Sequence, residues 1–105
     1  MSVSSTDAVR FSGITSGPSP AFELKGGKYS VTMLGTSGKL ALQLVGLGGS
    51  NVTQNDEWGN PVESTDLSTP YQTVVDLAAG TYQFTDYDNT HEPVGGVAGL
   101  ARIPR

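Results

Sequence analysis

Apolar and polar residues alternate along most of this chain, and the alternation starts at Ala21. In Ala21-Phe22-Glu23-Leu24-Lys25 the large apolar side chains fall on one face of an extended segment, because successive strand residues point to opposite sides. Gly26-Gly27 offers the two positive-φ positions of a tight hairpin turn. Residues 28–35 follow with Tyr29, Val31 and Met33 in phase; Thr36-Ser37-Gly38 makes another turn, and residues 39–47 set Leu40, Leu42 and Leu44 on one face. These runs predict a three-stranded meander. A short strand is expected at Val52-Thr53-Gln54. Residues 55–70, broken by Gly59, Pro61 and Pro70, then predict a long polar loop with Trp58 as its bulky anchor. Residues 71–77 and 81–85 read as a hairpin about Ala78-Ala79-Gly80, residues 86–96 as a second polar loop, and residues 97–103 as a closing strand. No window carries an apolar stripe of helical period. The pattern predicts an all-β fold, a small antiparallel β-sandwich or barrel of about six or seven strands in a single domain over residues 21–105.

Residues 1–20 lack this alternation and end in Gly17-Pro18-Ser19-Pro20, which favours an extended backbone. They predict an extended N-terminal arm, or a disordered terminus, that the domain can lose without losing its fold. Within the arm, Val9, Arg10, Phe11 and Ile14 form a basic and apolar group, and these are the candidate partner-binding residues.

Composition narrows the function. Only 15% of the 105 residues are charged, and 14 are glycine, which suits a β protein with many turns. The absence of cysteine excludes disulfides and thiolate metal sites and fits folding in a reducing cytoplasm. The first residues have neither a basic nor an apolar segment of the kind a signal peptide needs, so none is expected. No apolar run reaches the ~18–20 residues of a membrane-spanning helix, and no membrane partner is expected. The net charge of −4 is unevenly spread. Between residues 40 and 101 there are eight acidic residues and no Lys or Arg, while the two ends carry six basic and two acidic residues. So acidic a middle repels a phosphate backbone, which argues against nucleic acid as a partner.

Catalytic chemistry finds little support in the residues. His91 is the one histidine, and the serines cluster in the arm and the loops with no Gly-x-Ser-x-Gly nucleophile elbow among them. Asp86, Asp88, Asn89 and Glu92 form an oxygen-rich stretch that offers a Ca²⁺ cradle or simply a solvated acidic loop. It lacks the central glycine and distal bidentate glutamate of a helix–loop–helix calcium site. The carboxylate pairs Asp56/Glu57 and Asp86/Asp88 lack the aromatic-walled cleft that glycoside hydrolysis requires. Gly46-Leu47-Gly48-Gly49 and Gly95-Gly96-Val97-Ala98-Gly99 join no strand to a helix and read as turns or close strand approaches, not phosphate loops. The expectation is a protein that is not an enzyme, with no catalytic, cofactor-binding or metal residues. A partner is suggested elsewhere. Residues 39–47 are apolar on both faces, and Met33-Leu34 repeats this in the preceding run; either these strands are central and covered twice, or their second face meets another subunit.

Phe22-Glu23-Leu24-x-Gly26-Gly27-x-Tyr29, Leu42-Gln43-Leu44, Val75-Asp76-Leu77-x-x-Gly80-x-Tyr82-x-Phe84 and the closing Ala101-Arg102-Ile103-Pro104 resemble a group of small bacteriophage proteins encoded among virion structural genes, β-rich head or decoration proteins. The resemblance covers about residues 21–54 and 71–104. It implies a capsid decoration (cement) protein on the virion exterior, made in the host cytoplasm. Its partner would be the major capsid protein, which it binds and stabilises as a homo-oligomer, with a trimer favoured. The Val75–Phe84 stretch is also similar to a hairpin of extracellular sandwich domains, including carbohydrate-binding modules. The alternative function is therefore a carbohydrate- or receptor-binding module, with Trp58, Tyr71 and Tyr87 as its available aromatics.

Overall fold

The computed structural model describes residues 8–14, 19–46, 51–85 and 93–103. Among them there is no helix, and the strands form two antiparallel sheets that close into a sandwich. The first sheet contains β1 (Ala8–Ile14), β3 (Gly27–Leu34), β7 (Tyr71–Leu77) and β9 (Gly96–Arg102), in the order β1-β9-β3-β7. The second contains β2 (Phe22–Leu24), β4 (Leu40–Val45), β5 (Asn51–Thr53) and β8 (Gly80–Thr85), in the order β2-β8-β4-β5, and β6 (Glu63–Ser64) pairs with β4. The inward phase is the one the alternation predicts. Tyr29, Val31, Met33, Val75 and Leu100 from the first sheet meet Phe22, Leu24, Leu40, Leu42, Tyr82 and Phe84 from the second, and all are buried.

The pairing differs from the expected meander and hairpin. β2 and β3 do not pair: β2 lies beside β8 in one sheet and β3 beside β7 in the other, so Gly26-Gly27 carries the chain across the sandwich. Residues 78–79 do the same between β7 and β8. The two crossings run antiparallel at one end of the molecule, with Leu24 opposite Gly80 and Gly27 opposite Leu77. Gly26 and Gly27 hold φ of 97° and 130°, and a Cβ on Gly26 would stand 3.0 Å from the Ala79 nitrogen. Glycine is therefore needed here for backbone conformation and for space, but to bridge two sheets and not to close a hairpin.

The expected arm is likewise revised. Residues 8–14 are strand β1, paired with β9 from Ala8–Ala101 to Ile14–Gly96, so the sandwich includes this segment ahead of Ala21. Gly99 makes this possible: a Cβ there would lie 2.6 Å from the Val9 carbonyl oxygen. Ser19 then clasps β8. Its backbone N–H donates to the Phe84 carbonyl (2.7 Å), and its Oγ accepts from the Phe84 N–H (3.0 Å).

The stretch 55–70 is more than a loop. The Leu42 N–H donates to the Val62 carbonyl, the Val62 N–H to the Gln54 carbonyl, and the Gly35 N–H to the Leu67 carbonyl, which ties the segment to both sheets. Val62 and Leu67 are fully buried and act as its anchors, whereas Trp58 points out. β4 is an interior strand between β8 on one side and β5 and β6 on the other, and Leu40, Ala41 and Leu42 are all fully buried. The reading of a central strand covered on both faces thus holds at that end.

Two core tyrosines make opposite predictions. Burial, and secondly the neighbouring Tyr29, raise the Tyr82 pKa; the Tyr82 hydroxyl donates to the Ala78 carbonyl at 2.6 Å. The Tyr29 hydroxyl is buried with no hydrogen-bond partner among the described residues. Tyr82→Phe should therefore lose about 1 kcal/mol in a denaturant titration, and Tyr29→Phe should be neutral or gain up to about 1–3 kcal/mol, since it removes a desolvated hydroxyl. A Tyr29→Phe loss as large as that of Tyr82→Phe would mean that the Tyr29 hydroxyl is satisfied in solution.

Candidate functional site

The outer faces of the two sheets differ in chemistry. On the second sheet Gln43 lies opposite both Gln83 and Thr53, Gln43 Nε2 donates to Thr53 Oγ1 at 2.9 Å, and Asn51 Nδ2 donates to Gln83 Oε1 at 3.3 Å. That face is a ladder of amides and hydroxyls whose hydrogen-bonding capacity is partly spent internally.

The first sheet presents short side chains instead. Cross-strand register sets Ala8, Ala101 and Ser30 in one row, Arg10, Gly99 and Thr32 in the next, and Val97 beside Leu34 in a third. Together they form a shallow, mostly apolar groove of about 380 Å³ in which Arg10 is the charged group. Small residues at Ala8, Gly99 and Ala101 keep the floor low, so a partner's surface can approach the sheet closely. Leu34, the residue that made its strand apolar on both faces, lies exposed at the rim.

The candidate partner-binding residues take divided positions. Val9 and Phe11 pack against the core and Ile14 is 8% exposed, so these three face the chain's own interior. Gly13, with a φ of 72°, accompanies the register irregularity that returns Ile14 to the inward side. Arg10 alone points outward, into the groove. His91, Tyr87 and the oxygen-rich stretch 86–92 lie outside the described residues. Among the described residues, no group of three or more His, Cys, Asp or Glu side chains is gathered as a metal would need.

A second surface lies along the β7 edge. Asp56 Oδ1 accepts from the backbone N–H groups of Trp58 and Asn60, both at 2.9 Å, and its Oδ2 accepts from the Thr73 hydroxyl at 3.3 Å. The Glu57 N–H reaches the Val74 carbonyl (3.4 Å), and Lys28 Nζ pairs with Glu57 at 2.7 Å. The turn is thus fastened to the first sheet while Trp58 stays 70% exposed. On the same side, Glu63, Thr65, Asp66, Thr69, Pro70 and Tyr71 line a groove of about 390 Å³ that mixes carboxylates and hydroxyls with apolar surface. Hydrogen bonds from Ser68, the side chain first and the backbone second, lower the Asp66 pKa, and burial followed by the Asp56 charge raises that of Tyr71. The sequence singled out Trp58 and Tyr71 but not the small-residue face, whose positions carry neither charge nor bulk.

No protein-family model matches the chain, and no curated protein does. Among solved structures, the crystal structure of the SPBc2 prophage-derived protein YomS is similar: TM-score 0.54, 16% identity, covering 90% of this chain and 92% of that one. The likeness runs over nearly the whole of both chains and is one of fold.

Proposed function

We propose that this chain is a non-enzymatic bacteriophage virion protein that decorates the capsid, adhering to the outer surface of the major capsid protein shell and stabilising it. The adhesive surface in this reading is the outer face of the β1-β9-β3-β7 sheet. The observation that carries it is the asymmetry between the two outer faces: one a polar amide ladder, the other a low, mostly apolar groove of Ala8, Ser30, Thr32, Gly99 and Ala101 with Arg10 as its charged group. Sheets with one solvated face commonly show polar residues there, and an exposed apolar patch on a soluble domain marks a contact surface. The fold shared with a prophage-derived protein supports a phage setting, and the residue matches at 21–54 and 71–104 support the virion role. A symmetric homo-oligomer, with a trimer favoured, would repeat the face over the shell and gain avidity from it.

Leu34→Asp and Ala101→Arg test this reading. Both positions are exposed, so each variant should melt within a few degrees of the parent. Each should co-sediment with capsids lacking this protein at least about tenfold more weakly, a loss of ~1.4 kcal/mol. Full decoration by both variants would remove this face from consideration, and failure of the parent chain to bind any capsid would end the virion reading.

A further inference from the structure

We propose that the β7 side of the sandwich, Trp58 together with the hydroxyl- and carboxylate-lined groove at Tyr71, is a binding site for an uncharged saccharide. Trp58 is the one tryptophan of the chain, and it stands 70% exposed on a turn closed by more hydrogen bonds than its length requires. Besides the two bonds into Asp56 Oδ1, the Asp56 N–H donates to the Asn60 carbonyl at 2.8 Å and the Gly59 N–H to the Asp56 carbonyl at 3.1 Å. Such a backbone presents the indole at low entropic cost to a ligand that stacks on it.

The surroundings decide the class of ligand. A protein–protein hot spot sits in an apolar patch depleted of charge, but the turn around Trp58 consists of Asn55, Asp56, Glu57, Gly59 and Asn60. A pyranose ring matches both features: its axial C–H face is apolar and stacks on an aromatic plane, while its hydroxyl rim donates to carboxylate and amide oxygens. The turn is joined to the strand that carries the groove, because Thr73, two residues along β7 from Tyr71, donates its hydroxyl to Asp56 Oδ2 at 3.3 Å, and the Asp56 charge acts on the Tyr71 phenol. Its volume of about 390 Å³ lies within the usual small-ligand range of roughly 300–1,000 Å³. Asp56, Glu57, Glu63 and Asp66 lie along this side; Lys28, paired with Glu57, and Lys39, next to the Leu40 that pairs with Ser64, offset two of these four charges, and the remaining negative balance repels acidic sugars. The ligand is accordingly a neutral polysaccharide. This site is separate from the groove on the outer face of the first sheet, so either assignment can fail without the other.

Affinity electrophoresis of the full chain, through gels containing dextran, laminarin, galactomannan or hydroxyethylcellulose, with alginate as the anionic comparison, tests the site. At least one neutral polymer should retard the protein, alginate should not, and the same neutral polymer should blue-shift or quench the Trp58 emission. Trp58→Ala should weaken retardation at least about tenfold, equivalent to ~1.4 kcal/mol, at an unchanged melting temperature, with Trp58→Phe intermediate. Absence of retardation by every neutral polymer, or equal retardation of Trp58→Ala, would overturn the proposal. So would retardation by alginate alone, or an emission shift that capsids produce and polysaccharides do not, which would give Trp58 to a protein contact.

Discussion

Phe84→Ala is expected to cost about 3–5 kcal/mol, a third or more of the stability typical of a domain this size. Phe84 is fully buried where three strands converge: its ring lies 5.6 Å from that of Phe22 on β2 and 6.3 Å, edge-on at 70°, from that of Phe11 on β1. Phe22 in turn packs on Tyr82 at 6.5 Å. Truncation removes a whole ring from this cluster, and neither sheet can collapse into the gap, because the backbone on either side is held by ladder hydrogen bonds and by the Ser19 clasp. Phe84→Leu refills most of the volume and should cost clearly less. Urea titrations of the two variants separate the outcomes. A Phe84→Ala protein that melts like the parent would place this side chain outside the core.

Removal of residues 1–14 should have an effect as large or larger, leaving a chain that aggregates or melts far below the parent. β1 contributes Ile14 and the inner side of Phe11 to the core, at roughly 1.5–3 kcal/mol for a fully buried side chain of this kind and less for the half-buried Phe11. It also supplies the hydrogen-bonding partner for β9 over Gly96–Ala101, at about 0.5–1.5 kcal/mol for each bond lost. Without it β9 becomes a bare edge beside an exposed Phe22, a template for association with other chains. The alternative, an accessory arm, makes the opposite prediction, that the truncated protein keeps its melting temperature within a few degrees. Circular dichroism melts and light scattering of the truncated chain decide between them.

The weak alternation of β1 has a local cause. Over Ala8–Ile14 the chain offers three apolar side chains of any size, and the irregularity at Gly13 breaks their phase just where a period-two pattern would have become visible. What makes the segment a strand lies about ninety residues away, in Gly96 and Gly99, whose lack of a Cβ lets a neighbouring backbone press close. Val62 and Leu67 are a similar case: isolated apolar residues in a polar stretch carry no periodic signal, and only the gap between the sheets, which they fill, gives them meaning.

Strand phase was legible from the residues alone. That Tyr29, Val31 and Met33, Leu40 and Leu42, Val75 and Leu77, and Tyr82 and Phe84 point inward follows from side-chain alternation, a property of adjacent residues. So does the outward placement of Glu23 and Asp76. Which strands pair was not legible, because the ladder is made by backbone groups common to every residue, and two glycines serve a hairpin and a sheet crossing equally well. The exposed candidate surfaces fall in the same division. The sequence alone marked Trp58 as an unusual residue, but only the tertiary structure turned it outward on a fastened turn. Only cross-strand register, too, brought Ala8, Ser30, Thr32, Gly99 and Ala101, from three distant segments, onto one face.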